Sequence, residues 1–298
     1  MKRSKTSILW ALPALIFITL LPARVPAQKD KKEIKGPPGP LLTRTLTRHE
    51  NVRLPFGSTV TVSGAPAGSI IIEGWDRNEM DLSATIELQA PTAADLDLLA
   101  TVNTFVVDED VNHIRILTSG THDRAFMKRT VKNFPKTLIG LPWKIDYHLK
   151  IPTLTDLDIY AGNGPISLAG VEGALHLNAL NSDAALSLTG GLVSVLVQSG
   201  TLNLRIPARG WHGLGAEFKV ASGKLNVELM PGFSADMNAN VMRFGSISVS
   251  APDVKPVERD SITSRSMRAR AGTGGATLDF TIGDGTIEIK PLVEGSKQ

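Results

Sequence analysis

Residues 162–168 read GNGPISL, a glycine-rich turn followed directly by an alternation of apolar and polar residues. The same pattern returns as QSGTLNL at 198–204, ASGKLNV at 221–227 and RFGSISV at 243–249. Glycine permits the positive φ angles that a sharp corner requires, and alternate apolar residues place one face of a strand against a core. The sequence therefore repeats one structural unit, a corner joined to a short strand.

The corners recur at a nearly constant interval. They lie at positions 164, 182, 200, 223, 245 and 285, which gives separations of 18, 18, 23, 22 and 40 residues. A period of this length indicates repeats that stack on one another to bury their apolar faces. We predict an all-β fold, a parallel β-helix or β-solenoid with coils of about 20 residues. Right-handed winding is favoured, because parallel crossovers are right-handed.

Two other folds with regularly spaced turns fit the sequence less well. Leucine-rich repeats share the period, but they need a consensus Asn or Cys and a helical segment in each repeat. A two-sheet sandwich usually spaces its turns by about 8–12 residues. In the parallel coils we expect Ile166 and Leu168 to lie inward, over Leu186 and Leu188 of the next coil.

The composition changes along the chain define its predicted organisation. Residues 1–27 have the features of a secretory signal peptide, with basic residues first, an apolar run at 8–21 and small residues before position 28. A membrane anchor is the alternative, but this run is shorter than the roughly 20 residues that a spanning helix needs. The remaining segments are a flexible lead at 28–47, an N-terminal β portion at 48–152 with a short helix and a basic insertion at 119–141, stacked coils at 153–291 with a projecting loop at 252–275, and a tail at 292–298.

Charge and cysteine content exclude several classes of partner and cofactor. The formal net charge is +3, but residues 1–27 hold four basic residues and no acid, so the remainder sums to about −1 (3 − 4). This balance predicts no nucleic acid partner. The absence of cysteine excludes disulfides and cysteine metal ligands. We predict an exported protein of the periplasm or cell surface, with no cofactor and no transmembrane span in the mature chain.

Two stretches carry a resemblance to a known family. Residues 146–190 show a strand that ends at a proline, then a polar spacer, then repeated units of the type G-x-I-x-L. This stretch resembles the bacterial putative-adhesin domain family, a domain of unknown function found in exported proteins. Residues 68–88 resemble the entry strand of that family, with its signature at Gly74, Trp75 and Asp76.

The resemblance covers roughly residues 48–291 and implies a β-helical, non-catalytic protein associated with the cell envelope. This chain departs from the family pattern at 181–183, where the usual glycine is absent. It departs again in the insertions at 119–141 and 252–275. These differences concern single corners and connections rather than the fold.

The basic insertion at 119–141 interrupts the alternation and includes Phe126 and Phe134. Clustered cations with aromatic residues nearby are typical of a loop that binds an anionic polymer. The candidate contacts are Arg124, Lys128, Arg129, Lys132 and Lys136. The alternative is a solvated loop or helix that packs on one side.

The sequence gives no motif for catalysis. The six histidines are scattered, and His122 beside Asp123 supplies only half of an acid–base pair, without a nucleophile nearby in the sequence. We predict no catalytic, cofactor-binding or metal-binding residues. The predicted function is an adhesin-like surface or envelope interaction module that binds a glycan or a protein. Two alternatives stay open: a polysaccharide-processing enzyme on a β-helix, and an accessory protein for envelope stress or sensing.

Overall fold

The structure is a computed structural model that describes residues 40–293. The predicted signal peptide at 1–27 lies outside the described residues, as do most of the predicted lead and residues 294–298 of the predicted tail. No helix among residues 40–293 is long and apolar enough to cross a membrane.

A single mixed sheet contains the 17 strands of the described residues, which confirms the all-β class. The helices are α1 (Ala93–Val102), α2 (Arg124–Thr130) and a 3₁₀ turn (Lys136–Leu138). The strands are β1 (Leu42–Arg53), β2 (Ser58–Ala67), β3 (Ile70–Trp75), β4 (Glu79–Ala90), β5 (Thr104–Asp110), β6 (His113–Ser119), β7 (Trp143–Pro152), β8 (Thr155–Asn163), β9 (Ile166–Ala169), β10 (Leu175–Asn181), β11 (Ala184–Ser187), β12 (Gly190–Ile206), β13 (His212–Leu229), β14 (Ala235–Val249), β15 (Val254–Pro256), β16 (Ser266–Ala271) and β17 (Thr277–Pro291).

Parallel pairing follows the sequence repeat. β8, β10 and β12 pair in order, so Leu157, Leu175 and Val193 lie side by side at intervals of 18 residues. We call β2, β8, β10 and the first halves of β12, β13, β17 and β14 the first ladder. The second ladder consists of β3, β9, β11 and the second halves of the same four long strands.

A column of glycines lines the corner between the two ladders. Gly200 pairs with Gly223, and Gly223 pairs with Gly285, with φ angles between 127° and 141°. A Cβ on Gly223 would lie 1.8 Å from the carbonyl oxygen of Gly200. Ser182 lies at the corner that lacks glycine, and its hydroxyl donates to the carbonyl oxygen of Gly164 at 2.6 Å. The glycine corners therefore combine close backbone approach with positive φ.

The core contains the inward residues of both ladders, which alternate with outward polar ones, together with buried residues of α1, β4, β5, β6, β7 and β16. The predicted register of Ile166 and Leu168 was wrong by two residues. Ile166 lies beside Ala184 and Leu168 lies beside Leu186, rather than beside Leu186 and Leu188. The reason is that neighbouring strands are shifted by one complete repeat of 18 residues.

The C-terminal strands depart from the order of the chain. β17 lies between β13 and β14 and pairs parallel to both. The prediction that residues 252–275 form a projecting loop was wrong for β16, which pairs antiparallel with β14. Met267, Ala269 and Ala271 of β16 are buried and the arginines between them are exposed, so the strand covers part of the core. The sheet is mixed, and a continuous parallel solenoid is not confirmed.

The N-terminal strands belong to the same sheet as the strands of residues 153–291. β1 pairs antiparallel with β4, and β2 and β3 pair with β8 and β9. The flexible lead predicted at 28–47 was wrong from Leu42 onward, because β1 begins there. Leu46 packs against the core, and Arg44, two residues earlier on the same face of the strand, pairs with Asp97 of α1, so this stretch is held to the rest of the fold.

Candidate functional site

The basic insertion, called the basic segment (residues 119–141) from here on, connects β6 to β7 and contains α2. The Asp123 carboxylate begins this helix and accepts hydrogen bonds from the amides of Ala125 (2.8 Å) and Phe126 (3.0 Å). These bonds, the one from Phe126 most of all, lower the pKa of Asp123. The one acidic residue of the segment is therefore ionised and occupied in capping the helix.

A buried asparagine fixes the start of the basic segment to the sheet. Asn103 is 0% exposed, and its amide oxygen accepts hydrogen bonds from the backbone amide (2.8 Å) and the hydroxyl (3.2 Å) of Thr121. A Cβ on Gly120 would lie 2.4 Å from this oxygen and 2.8 Å from the Trp143 ring, so only glycine fits at this position. Met127 of α2 and Leu138 of the 3₁₀ turn are buried, and Leu138 belongs to the hydrophobic core.

Sequence reasoning missed Asn103. Asn103 is the C-cap residue of α1, and asparagine is common directly after a helix, so its sequence position gives no reason to single it out. The bond to Thr121 joins residues far apart in the sequence, and no local pattern indicates it.

The structure places the five predicted contact residues on the exposed side of the basic segment: Arg124, Lys128, Arg129, Lys132 and Lys136. None of them forms an ion pair with a residue in the described part of the chain. Other exposed cations do form pairs, as Arg115 does with Asp108 at 2.9 Å. With one aspartate, the segment has a net charge of +4 (5 − 1). It is an uncompensated positive surface.

His122 does not form the acid–base pair that its sequence position suggested. Its ring packs against Trp143, with the ring centroids 5.3 Å apart. Partial burial lowers the pKa of His122, and the nearby Asp123 carboxylate only partly offsets this effect. The carboxylate itself bonds to the start of α2. Within residues 40–293, no group of three or more His, Asp or Glu side chains is arranged to hold a metal ion.

Comparisons with known proteins give only structural matches, since no family model and no curated protein matches the chain. A putative cell adhesion protein from Clostridium sporogenes is 9% identical, with 83% of this chain and 100% of that chain covered and a TM-score of 0.36. A putative adhesin from Bacteroides fragilis is 12% identical, with 84% and 97% covered and a TM-score of 0.35. A putative lipid binding protein from Parabacteroides distasonis is 12% identical, with 83% and 97% covered and a TM-score of 0.23.

The names of the first two structures agree with the family resemblance that the sequence motifs indicated. Identities and TM-scores of this size do not transfer a ligand or an activity.

Proposed function

We propose that this chain is an exported, non-catalytic interaction module of the cell envelope that binds an anionic polymer through the basic segment. The observation that carries the proposal is the set of five exposed cations without an acidic partner among the described residues. The predicted signal peptide supports export. We propose also that the two ladders wind as right-handed coils, as parallel crossovers do.

The spread of the charges favours a polymer over a small anion. An exposed ion pair contributes only about 0.2–1 kcal/mol, so one anion at one of these cations would bind weakly. A chain with regularly spaced phosphates or carboxylates contacts several of the five at once. Once the first contact is formed the others are intramolecular, and their contributions add.

The way the basic segment is held supports the same proposal. Asn103 fixes its start, and the buried Met127 and Leu138 fix its two helical turns. Phe126 and Phe134 are half-buried beside the cations. The backbone is therefore ordered before a ligand arrives, which lowers the entropy lost on binding.

The test is binding of purified lipopolysaccharide and purified teichoic acid at increasing salt. We expect binding to weaken with salt, because exposed charges are screened over about 8 Å at physiological ionic strength. A variant with all five cations of the segment changed to serine should lose binding. It should keep its melting temperature, since the five side chains are exposed and form no ion pair within residues 40–293.

A matched control separates the site from the net charge. Five exposed cations outside the basic segment are changed to serine in the control: Arg53, Arg209, Lys224, Lys255 and Arg259. The control removes the same charge and should keep binding. Equal loss in both variants would show attraction by net charge alone, and retained binding in the first variant would remove the basic segment as the site. Cleavage of either polymer by the unaltered chain would overturn the non-catalytic assignment.

A further inference from the structure

The outward side of the second ladder contains a groove that the basic segment does not contribute to. It has a volume of about 600 Å³ and lies over β9, β11 and the second halves of β12 and β13. This volume is within the usual range of about 300–1,000 Å³ for small-ligand sites. We call it the β11 groove.

The parallel register explains why a groove forms there. In β11 the outward residues are Ala185 and Ser187, whose side chains are short. Their neighbours in β12 are Asn203 and Arg205, which stand higher above the sheet. The step from short to long side chains forms a wall along one side of an otherwise open floor, and the floor itself includes the methyl group of Ala185.

Arg205 is the unusual residue of this wall. It is half-buried, yet its guanidinium forms no ion pair or hydrogen bond with any residue between 40 and 293, and its Nε is buried without a hydrogen-bond partner. The nearest acidic residue in the register is Glu228, but Glu228 pairs with Lys290 on its other side, at 3.5 Å. Burying the Nε without an acceptor costs free energy, and a ligand that supplies an acceptor there would remove that cost.

A pair of amides next to Arg205 offers one donor group and one acceptor. The Asn226 side-chain amide donates to the Asn203 side-chain oxygen at 2.8 Å. This bond fixes both side chains and leaves the NH₂ group of Asn203 and the oxygen of Asn226 with no other partner in the described chain. A donor and an acceptor held side by side suit vicinal hydroxyl groups, each of which both donates and accepts.

We propose that the β11 groove binds a hexuronate unit of an acidic glycan. The planar guanidinium of Arg205 matches a carboxylate, the amide pair matches the ring hydroxyls, and the Ala185 methyl group contacts the apolar face of the ring. The charges of Arg205, Glu228 and Lys290 sum to +1. A single negative charge on the ligand balances this sum, whereas a phosphate dianion would leave a net charge of −1 (1 − 2).

The experiment compares D-glucuronate with D-glucose. The two sugars differ at one position, where glucuronate has a carboxylate and glucose has a hydroxymethyl group. Binding of each to the intact ¹⁵N-labelled chain is observed by NMR. We expect glucuronate to shift the amide resonances of β11 and β12, and glucose to bind about tenfold or more weaker, since a charged hydrogen bond is lost. The R205Q variant should lose the same factor for glucuronate and none for glucose. The control K224Q removes an exposed cation of β13 outside the groove and should change neither affinity.

A second variant tests the shape of the groove. Ala185→Leu fills the floor without touching a hydrogen bond and should weaken both sugars equally. The five-serine variant of the basic segment should keep the glucuronate response, so failure of the proposed function and failure of this site are distinguishable. Any one of four results would overturn the assignment. The first two are absent shifts and equal affinity for the two sugars. The others are an R205Q variant that binds glucuronate normally and inorganic phosphate that binds more strongly while shifting the same resonances.

Discussion

Replacing Gly223 with alanine tests whether the glycine column fixes the corner between the two ladders. Gly223 has a φ of 141°, a conformation that residues with a side chain rarely adopt. A Cβ there would lie 1.8 Å from the carbonyl oxygen of Gly200 in the neighbouring strand. That oxygen belongs to the backbone and cannot rotate away, so β12 and β13 must separate at the corner.

The expected loss of stability has two contributions. Holding a non-glycine residue in this backbone conformation costs roughly 1–3 kcal/mol. Separating the strands weakens the adjoining backbone hydrogen bonds, and the loss of two of them adds about 2 kcal/mol. The sum is about 3–5 kcal/mol, which lowers the melting temperature of a domain of this size by about 6–20 °C.

Gly232 provides the matched control. It also has positive φ, 79°, but no atom lies within 4 Å of the position that its Cβ would take. Gly232→Ala should therefore cost only the conformational part, about 1 kcal/mol, or about 2–4 °C. Thermal unfolding followed by circular dichroism compares the two variants. Equal decreases would refute the reasoning, because the contact with Gly200 would then contribute nothing.

Three further predictions test the core, a buried ionisable group and the C-terminal strands. Leu204→Asp should destabilise the chain by more than ~3 kcal/mol, because Leu204 is 1% exposed, whereas Asn203→Asp should have almost no effect on stability. Equal melting temperatures of the two variants would contradict the inward position of Leu204 and the outward position of Asn203. Burial raises the pKa of Tyr147, so with the other tyrosine changed to phenylalanine no tyrosinate absorbance should appear at about pH 10 in the folded chain. Stability should fall above that pH because the unfolded chain alone loses the proton, and early absorbance would contradict the burial. Trypsin should cut after Arg259, between β15 and β16, before it cuts after Arg268 in β16, and the reverse order would contradict the pairing of β16.

The corners and the all-β class could be predicted because their signals are local. Gly200, Gly223 and Gly285 are each followed by an alternating strand, and both the turn and the strand are determined within a few residues. The periodic spacing then implies parallel pairing, which the first and second ladders have. Ser182 departs from the pattern without disturbing it, because its backbone does not need positive φ.

The order of the last strands could not be predicted. Gly245 of β14 and Gly285 of β17 belong to the same sequence pattern, so either strand offers β13 an equivalent register. β17 takes that place, and β14 then pairs with β17 on one side and with β16 on the other. The choice depends on packing over the whole connection at 250–276 and not on either strand alone.

The candidate sites were predictable to different degrees. The five cations of the basic segment follow from composition, since clustered lysine and arginine in an insertion are exposed in most arrangements. The unusual state of Arg205 does not follow from its sequence neighbourhood. It depends on Glu228 pairing with Lys290, and Lys290 comes from β17, whose place beside β13 the sequence did not predict.

Binding and stability use different positions of the same repeat. Inward positions such as Leu204 are fully buried, and a change there alters the fold. Arg205 and the five cations of the basic segment form no ion pair with any residue between 40 and 293. Their charges therefore add little to the folding free energy and can be removed without loss of the fold. The same separation is why the charge variants proposed here report on binding rather than on folding.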